Sequence, residues 1–177
     1  MRSMIRGMLL PDEQTMPPEI LTNPQAANTA QVLRRFRVVF NAIRSHFRQI
    51  EKQVNLGGAQ VWALSVVRDH PGIGTGMLAK HMDIHQSTAS NLVKTLERKA
   101  LISVSKATED RRSVQLQVLP AGLAVLSQVP GPFEGVLPEA LEKLPADTLL
   151  RLDQDLGELI ALLKADEQAA GIPLAQL

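Results

Sequence analysis

A chain of 177 residues with no cysteine and a formal net charge of +1 has room for one domain, or for two small lobes sharing a core. Lacking a thiol, it has no disulfide, no thiolate metal site, no cysteine nucleophile and no thiol redox sensor. Its 45% hydrophobic and 21% charged residues suit a globular protein in water, and with 3% aromatics and no tyrosine the core must be aliphatic.

The small net charge hides an uneven distribution. Residues 1–53 carry eight Lys/Arg against four acids, residues 80–112 seven against four, and residues 113–177 three against nine. A basic middle and an acidic end suit one face to a polyanion and another to a different task. Near the start the longest apolar run, Met8-Leu9-Leu10, is too short for a signal-peptide core, and Pro11-Asp12 ends it. No segment holds the roughly 18 apolar residues of a membrane span. The expected location is the cytoplasm, with no membrane partner.

Residues 1–25, with four prolines and no periodicity, read as a flexible arm. From about Asn28 to Gln53, Val32, Phe36, Val39, Phe40, Ile43, Phe47 and Ile50 recur at steps of three and four, a stripe that Val54 continues. At ~1.5 Å per residue that helix spans roughly 39 Å. A helix this long exceeds what one small domain covers, so burial against a second copy is expected; closure of an intramolecular core is the alternative. Leu56-Gly57-Gly58 breaks it, and a helix over Ala59–Arg68 comes next, ended by His70-Pro71-Gly72.

A short helix, Gly76–Met82, and a second, Gln86–Lys99, lead into strands at Leu101–Ser105 and Ser113–Leu119. Pro120 opens another helix, and Pro130-Gly131-Pro132 and Pro138 bend or split the chain beyond it. Pro145 starts a last helix to about Lys164 with a stripe of Leu149, Leu152, Leu156, Leu159, Ile160 and Leu163. The fold class is mainly α with a small β-wing. A winged helix-turn-helix occupies 55–122, and the N- and C-terminal helices, 26–54 and 123–177, form a helical dimerisation region.

Helix, turn, helix and two-stranded wing make a shape suited to a DNA major groove and the adjoining minor groove. In the second helix Ala89, Leu92, Val93 and Leu96 share an inward face, and Ser87, Ser90, Asn91, Lys94 and Arg98 share the other. Short hydroxyls and an amide reach base edges without bulk. Gln86 and Ser87 sit where a helix N-terminus favours phosphate. Lys94 and Arg98 are placed to anchor the backbone. An ordinary solvated helix face is the competing reading, and the adjacent wing argues against it. At the wing tip, between Lys106 and Arg112, the pair Arg111-Arg112 suits a narrow minor groove, with Asp110 bracing an arginine.

These residues carry a resemblance. Leu56 and Gln60, Leu78-Ala79, Ser87-Thr88 with Ser90, Leu96-Glu97 with Lys99 and Leu101-Ile102, Asp110-Arg111-Arg112 and Pro120-Ala121-Gly122 together resemble the MarR family of multiple-antibiotic-resistance regulators, over about 28–164. The resemblance implies a triangular homodimer with two winged helix-turn-helix lobes, binding at pseudo-palindromes in double-stranded DNA, and release by a small aromatic or anionic effector. By position it implies that Ser87, Thr88, Ser90 and Asn91 face the major groove and that Asp110 and Arg112 form the wing pair. Three residues depart from the family pattern: Val104 replaces an arginine that braces the wing aspartate, Ala100 replaces a glycine, and Leu119 replaces a capping threonine.

Other chemistry is weaker. His81, Asp83 and His85 are metal-ligand types, but Asp83 and His85 fall in the turn, where ligands do not converge; no metal is expected. His85 also stands where it would touch phosphate. Gly72, Gly74 and Gly76 lack the strand and the Lys-Ser/Thr of a phosphate loop. With no catalytic constellation, the chain is expected not to be an enzyme and to need no cofactor. An effector pocket is expected where the first helix meets Ala59–Arg68. Arg44 would be its anion partner and Phe47 and Trp62 its apolar walls, although both rings also fit a plain core. The favoured function is a homodimeric DNA-binding repressor. A dimeric winged-helix scaffold that binds protein is the alternative, motivated by the acidic end and by Val104.

Overall fold

A computed structural model describes residues 24–106 and 114–176. The expected arm therefore lies almost wholly outside the described residues, as do the wing-tip residues Asp110, Arg111 and Arg112. The chain divides into two compact units, one up to Phe36 and one from Arg37 onward. In chain order the helices are α1 (Pro24–Val54), α2 (Gly58–Asp69), α3 (Thr75–His81) and α4 (Gln86–Arg98). Strands β1 (Ile102–Lys106) and β2 (Val114–Val118) come next, then α5 (Pro120–Leu126), α6 (Val136–Glu142) and α7 (Ala146–Leu163). Two 3-10 turns, Glu167–Gly171 and Leu174–Gln176, close the described chain.

Helix α1 starts at Pro24, four residues before the expected Asn28, and takes the end of the expected arm into the helix. A proline in the first turn lacks only an N–H that the helix would leave unpaired anyway. In the unit from Arg37 onward, Ile43, Phe47 and Ile50 of the α1 stripe are buried, while Val39 stays 43% exposed. In the unit up to Phe36, Val32 and Leu33 are half exposed.

The core lies beneath the helix-turn-helix. Leu64 and Val67 from α2, Leu78 from α3, Leu96 from α4 and Leu116 from β2 are all fully buried. The strands pair antiparallel, with Ile102 opposite Val118, Val104 opposite Leu116 and Lys106 opposite Val114. The chain before α3 covers the outer edge of β2: the Gly72 amide donates to the Leu116 carbonyl (2.8 Å) and the Leu116 amide to the Ile73 carbonyl (3.0 Å). That contact leaves β2 no open edge at its centre.

Two helix ends set the geometry of the helix-turn-helix, and both are Schellman turns. After α3, the Asp83 amide donates to the Lys80 carbonyl and the Ile84 amide to the Ala79 carbonyl, with Asp83 at φ +49°. After α4, Ala100 donates to Glu97 and Leu101 to Leu96, with Ala100 at φ +53°. An L-residue held there costs about 1–2 kcal/mol, and alanine has no side chain to offset it. That is the physical content of the missing glycine at position 100. Val104 also finds a structural place: it is half-buried and packs against the core through β1.

Candidate nucleic-acid interface

His85, whose extended backbone (φ −61°, ψ 143°) ends the turn, precedes α4 as its N-cap, and no side chain caps the helix. Ala89, Leu92, Val93 and Leu96 are buried and fix the helix on the core. The opposite face is thereby set outward: Gln86, Ser87, Asn91, Lys94 and Arg98 are exposed, and Thr88 and Ser90 are half-buried. Ser90 Oγ donates to the Gln86 carbonyl (2.8 Å) and Thr95 Oγ1 to the Asn91 carbonyl (2.9 Å). The Ser90 hydrogen is thus held by its own helix, leaving its oxygen lone pairs as acceptors. Asn91 offers both a donor and an acceptor. Among the described residues, neither Lys94 nor Arg98 enters an ion pair. Lys106 stands exposed at the end of β1, opposite Val114 at the start of β2.

The surrounding histidines are arranged differently from the expectation. His85 does not point free toward a phosphate: its Nε2 lies 2.6 Å from the Gln168 carbonyl, and its amide donates to the Gly171 carbonyl at 3.1 Å. His81 stacks on His70 with ring centroids 4.3 Å apart, away from the His85 partnership. Gln168 had no signal in the sequence, because it acts through its backbone, 83 positions from its partner.

Beneath the turn lies a cavity of about 290 Å³. Phe47 and Trp62 line it, joined by Ile43, Met82, Ile84 and Leu137. Arg44 does not; it is exposed on α1, one position past the buried Ile43 and so turned about 100° away from it. The ionisable groups at the wall are Asp83 and Glu134, both acids. Phe47 fits because the backbone on both sides is glycine: an added Cβ would stand 2.2 Å from its ring at Gly58 and 2.8 Å at Gly135. Gly135 also holds φ +111°, a conformation side chains disfavour. Nearby, Arg68 bonds Asp69 through Nε (2.7 Å) and holds that carboxyl below its ordinary range.

Set against known proteins, residues 59–114 match the model of the MarR family, from within α2 to the first residue of β2. Over these residues the chain is similar to the MarR family. A protein of Thauera aromatica, assigned to transcriptional regulation of the hcr operon, is 29% identical over 147 residues, covering 82% of each chain. The HTH-type transcriptional repressor MdtR of Bacillus subtilis is 20% identical over 132 residues, 75% of this chain and 85% of its own. Among solved structures, the S. aureus MepR–DNA complex superposes with a TM-score of 0.52 at 18% identity, covering 76% of this chain and 97% of that one. A cysteine-to-serine variant of E. coli MarR in complex with operator DNA gives 0.50 at 17%, covering 73% and 96%. These likenesses show the MarR fold: mainly helical, with a two-stranded wing. No helix among the described residues is long and apolar enough to cross a membrane.

Proposed function

We propose that the chain is a homodimeric transcriptional regulator, acting as a repressor in the cytoplasm, that reads a pseudo-palindromic operator with α4. The observation that carries this reading is the outward face of α4, where Ser87 and Asn91 stand beside Lys94 and Arg98 on a helix fixed by four buried residues. The names of the relatives, a repressor and an operon regulator, support it, as do the DNA complexes of the two structural neighbours. Ser87, Thr88, Ser90 and Asn91 are assigned to base edges. Gln86, Lys94, Arg98 and Lys106 are assigned to phosphates, and Asp110, Arg111 and Arg112 to the minor groove.

One recognition helix reads half a site, so a second copy is required at about 34 Å for adjacent turns of B-DNA. The exposed apolar residues Val32 and Leu33 on α1, and Leu149, Leu156, Ile160 and Leu163 on α7, are the surfaces assigned to that pairing. The cavity is the assigned seat of a small apolar effector. Its acidic wall suits a neutral or cationic molecule better than an anion.

Two substitutions separate reading from anchoring. Asn91→Ala is expected to weaken the cognate duplex by about 1–3 kcal/mol while sparing a scrambled one. Lys94→Ala is expected to weaken both alike and to lower the salt slope by about one. Fluorescence anisotropy on both duplexes across a salt series checks the pair. Equal losses on both duplexes for Asn91→Ala would remove α4 as the reading face.

A further inference from the structure

After α7 the chain leaves its helix at Lys164, in the left-handed region at φ +51°, and folds back toward the start of α4. Three contacts hold the returning segment. The Gln168 carbonyl stands 2.6 Å from His85 Nε2, the Gly171 carbonyl accepts the His85 amide at 3.1 Å, and Pro173 is buried. The fit at Gly171 is close, since an added Cβ would stand 2.6 Å from the His85 ring. Asp166 caps the first turn of the segment, its Oδ1 accepting the Gln168 amide at 3.0 Å. Asp166 and Glu167 are exposed and directly precede Gln168, whose carbonyl bonds His85, the N-cap residue of the recognition helix, so their two charges sit on the segment docked at that end.

This placement opposes what a DNA-reading helix needs. Recognition helices approach the major groove with their N-terminal residues, and the first backbone N–H groups favour phosphate. A carboxylate pair beside that end repels the same phosphates and competes for the same positive dipole end. We propose that residues 165–176 form an autoinhibitory strap, docked through His85, that lowers the affinity of α4 for DNA until it is released. The inference rests on the DNA-binding reading above. Ile172 and Leu174 of the strap and Met82 and Ile84 of the turn are walls of one cavity, so an occupant touches the strap and the turn together.

Two variants test it by different routes. Asp166→Asn with Glu167→Gln removes the charge and keeps an acceptor at the cap, leaving the strap docked. Gly171→Val puts its side chain on the His85 ring and so disrupts the ring's seat against the strap. Both are titrated beside the unaltered protein against a duplex from upstream of its coding sequence. The neutralised double variant is expected to bind about three- to tenfold tighter at low salt, the gain shrinking as salt screens the charges. Gly171→Val is expected to bind at least about threefold tighter, with faster hydrogen exchange at the His85 amide and unchanged exchange at Leu96. If both variants bind as the unaltered protein does, or more weakly, the strap is a brace and the proposal is wrong. If none of the three proteins binds any duplex, the regulator reading itself fails.

Discussion

Leu96→Ala is expected to lower the unfolding free energy by about 2–5 kcal/mol, the range for a fully buried leucine whose cavity cannot collapse. Leu96 is fully buried, and its carbonyl accepts the Leu101 amide at 3.0 Å in the turn that leads from α4 into β1. Leu64 and Leu78 of the same core are also fully buried, on elements held from several sides, so little can move in to fill the space. The second consequence is functional. Loosening this end of α4 tilts the outward face that carries Asn91 and Lys94, so DNA affinity falls by more than the unfolded fraction explains. Urea unfolding and duplex titration at one protein concentration measure the two effects. A loss below about 1 kcal/mol would mean that α4 is not seated as described.

Gly122→Ala is expected to cost about 3 kcal/mol, at the upper end of overpacking effects. The added Cβ would stand 2.4 Å from the Leu101 carbonyl oxygen, 2.8 Å from Val118 Cγ2 and 3.1 Å from Leu64 Cδ1. The nearest of these is backbone, and it is not free to retreat because it accepts the Leu119 amide at 2.9 Å. Relief therefore requires α5 to lift from the strands, which uncovers Leu126 and the base of the wing. The melting temperature should fall by roughly 6–12 °C for a chain of this size. Alanine tolerated within a degree or two would contradict the close approach of α5.

Much of this architecture is legible in the residues, for identifiable reasons. The alternation Val114, Leu116, Val118 and the four-residue inward face of α4 are local patterns; burial follows the α4 face and picks out Leu116 in β2. The outward placement of Ser87, Asn91, Lys94 and Arg98 is then a matter of helix geometry alone. The features that escape are non-local or carried by the backbone. The His85–Gln168 contact joins positions 83 apart through a carbonyl, which no residue type announces. Arg44 falls outside the cavity because an apolar stripe on a helix does not say where its cavity ends; a one-residue step moves the guanidinium to the surface. The start of α1 escapes because a proline marks an irregular arm and a helix's first turn alike, and Pro24 is the second kind.

The proposed reading of a specific DNA sequence falls to the outward face of α4 in a dimer. Its most direct test is an anisotropy titration of the purified protein against a duplex from upstream of its own coding sequence and against a scrambled duplex of equal length, between about 50 and 200 mM salt. The expected result is a preference of about a thousandfold or more for the upstream duplex, at two protomers per site, with both affinities falling steeply as salt rises. Equal affinity for the two duplexes at every salt concentration, or no binding to either, would contradict it.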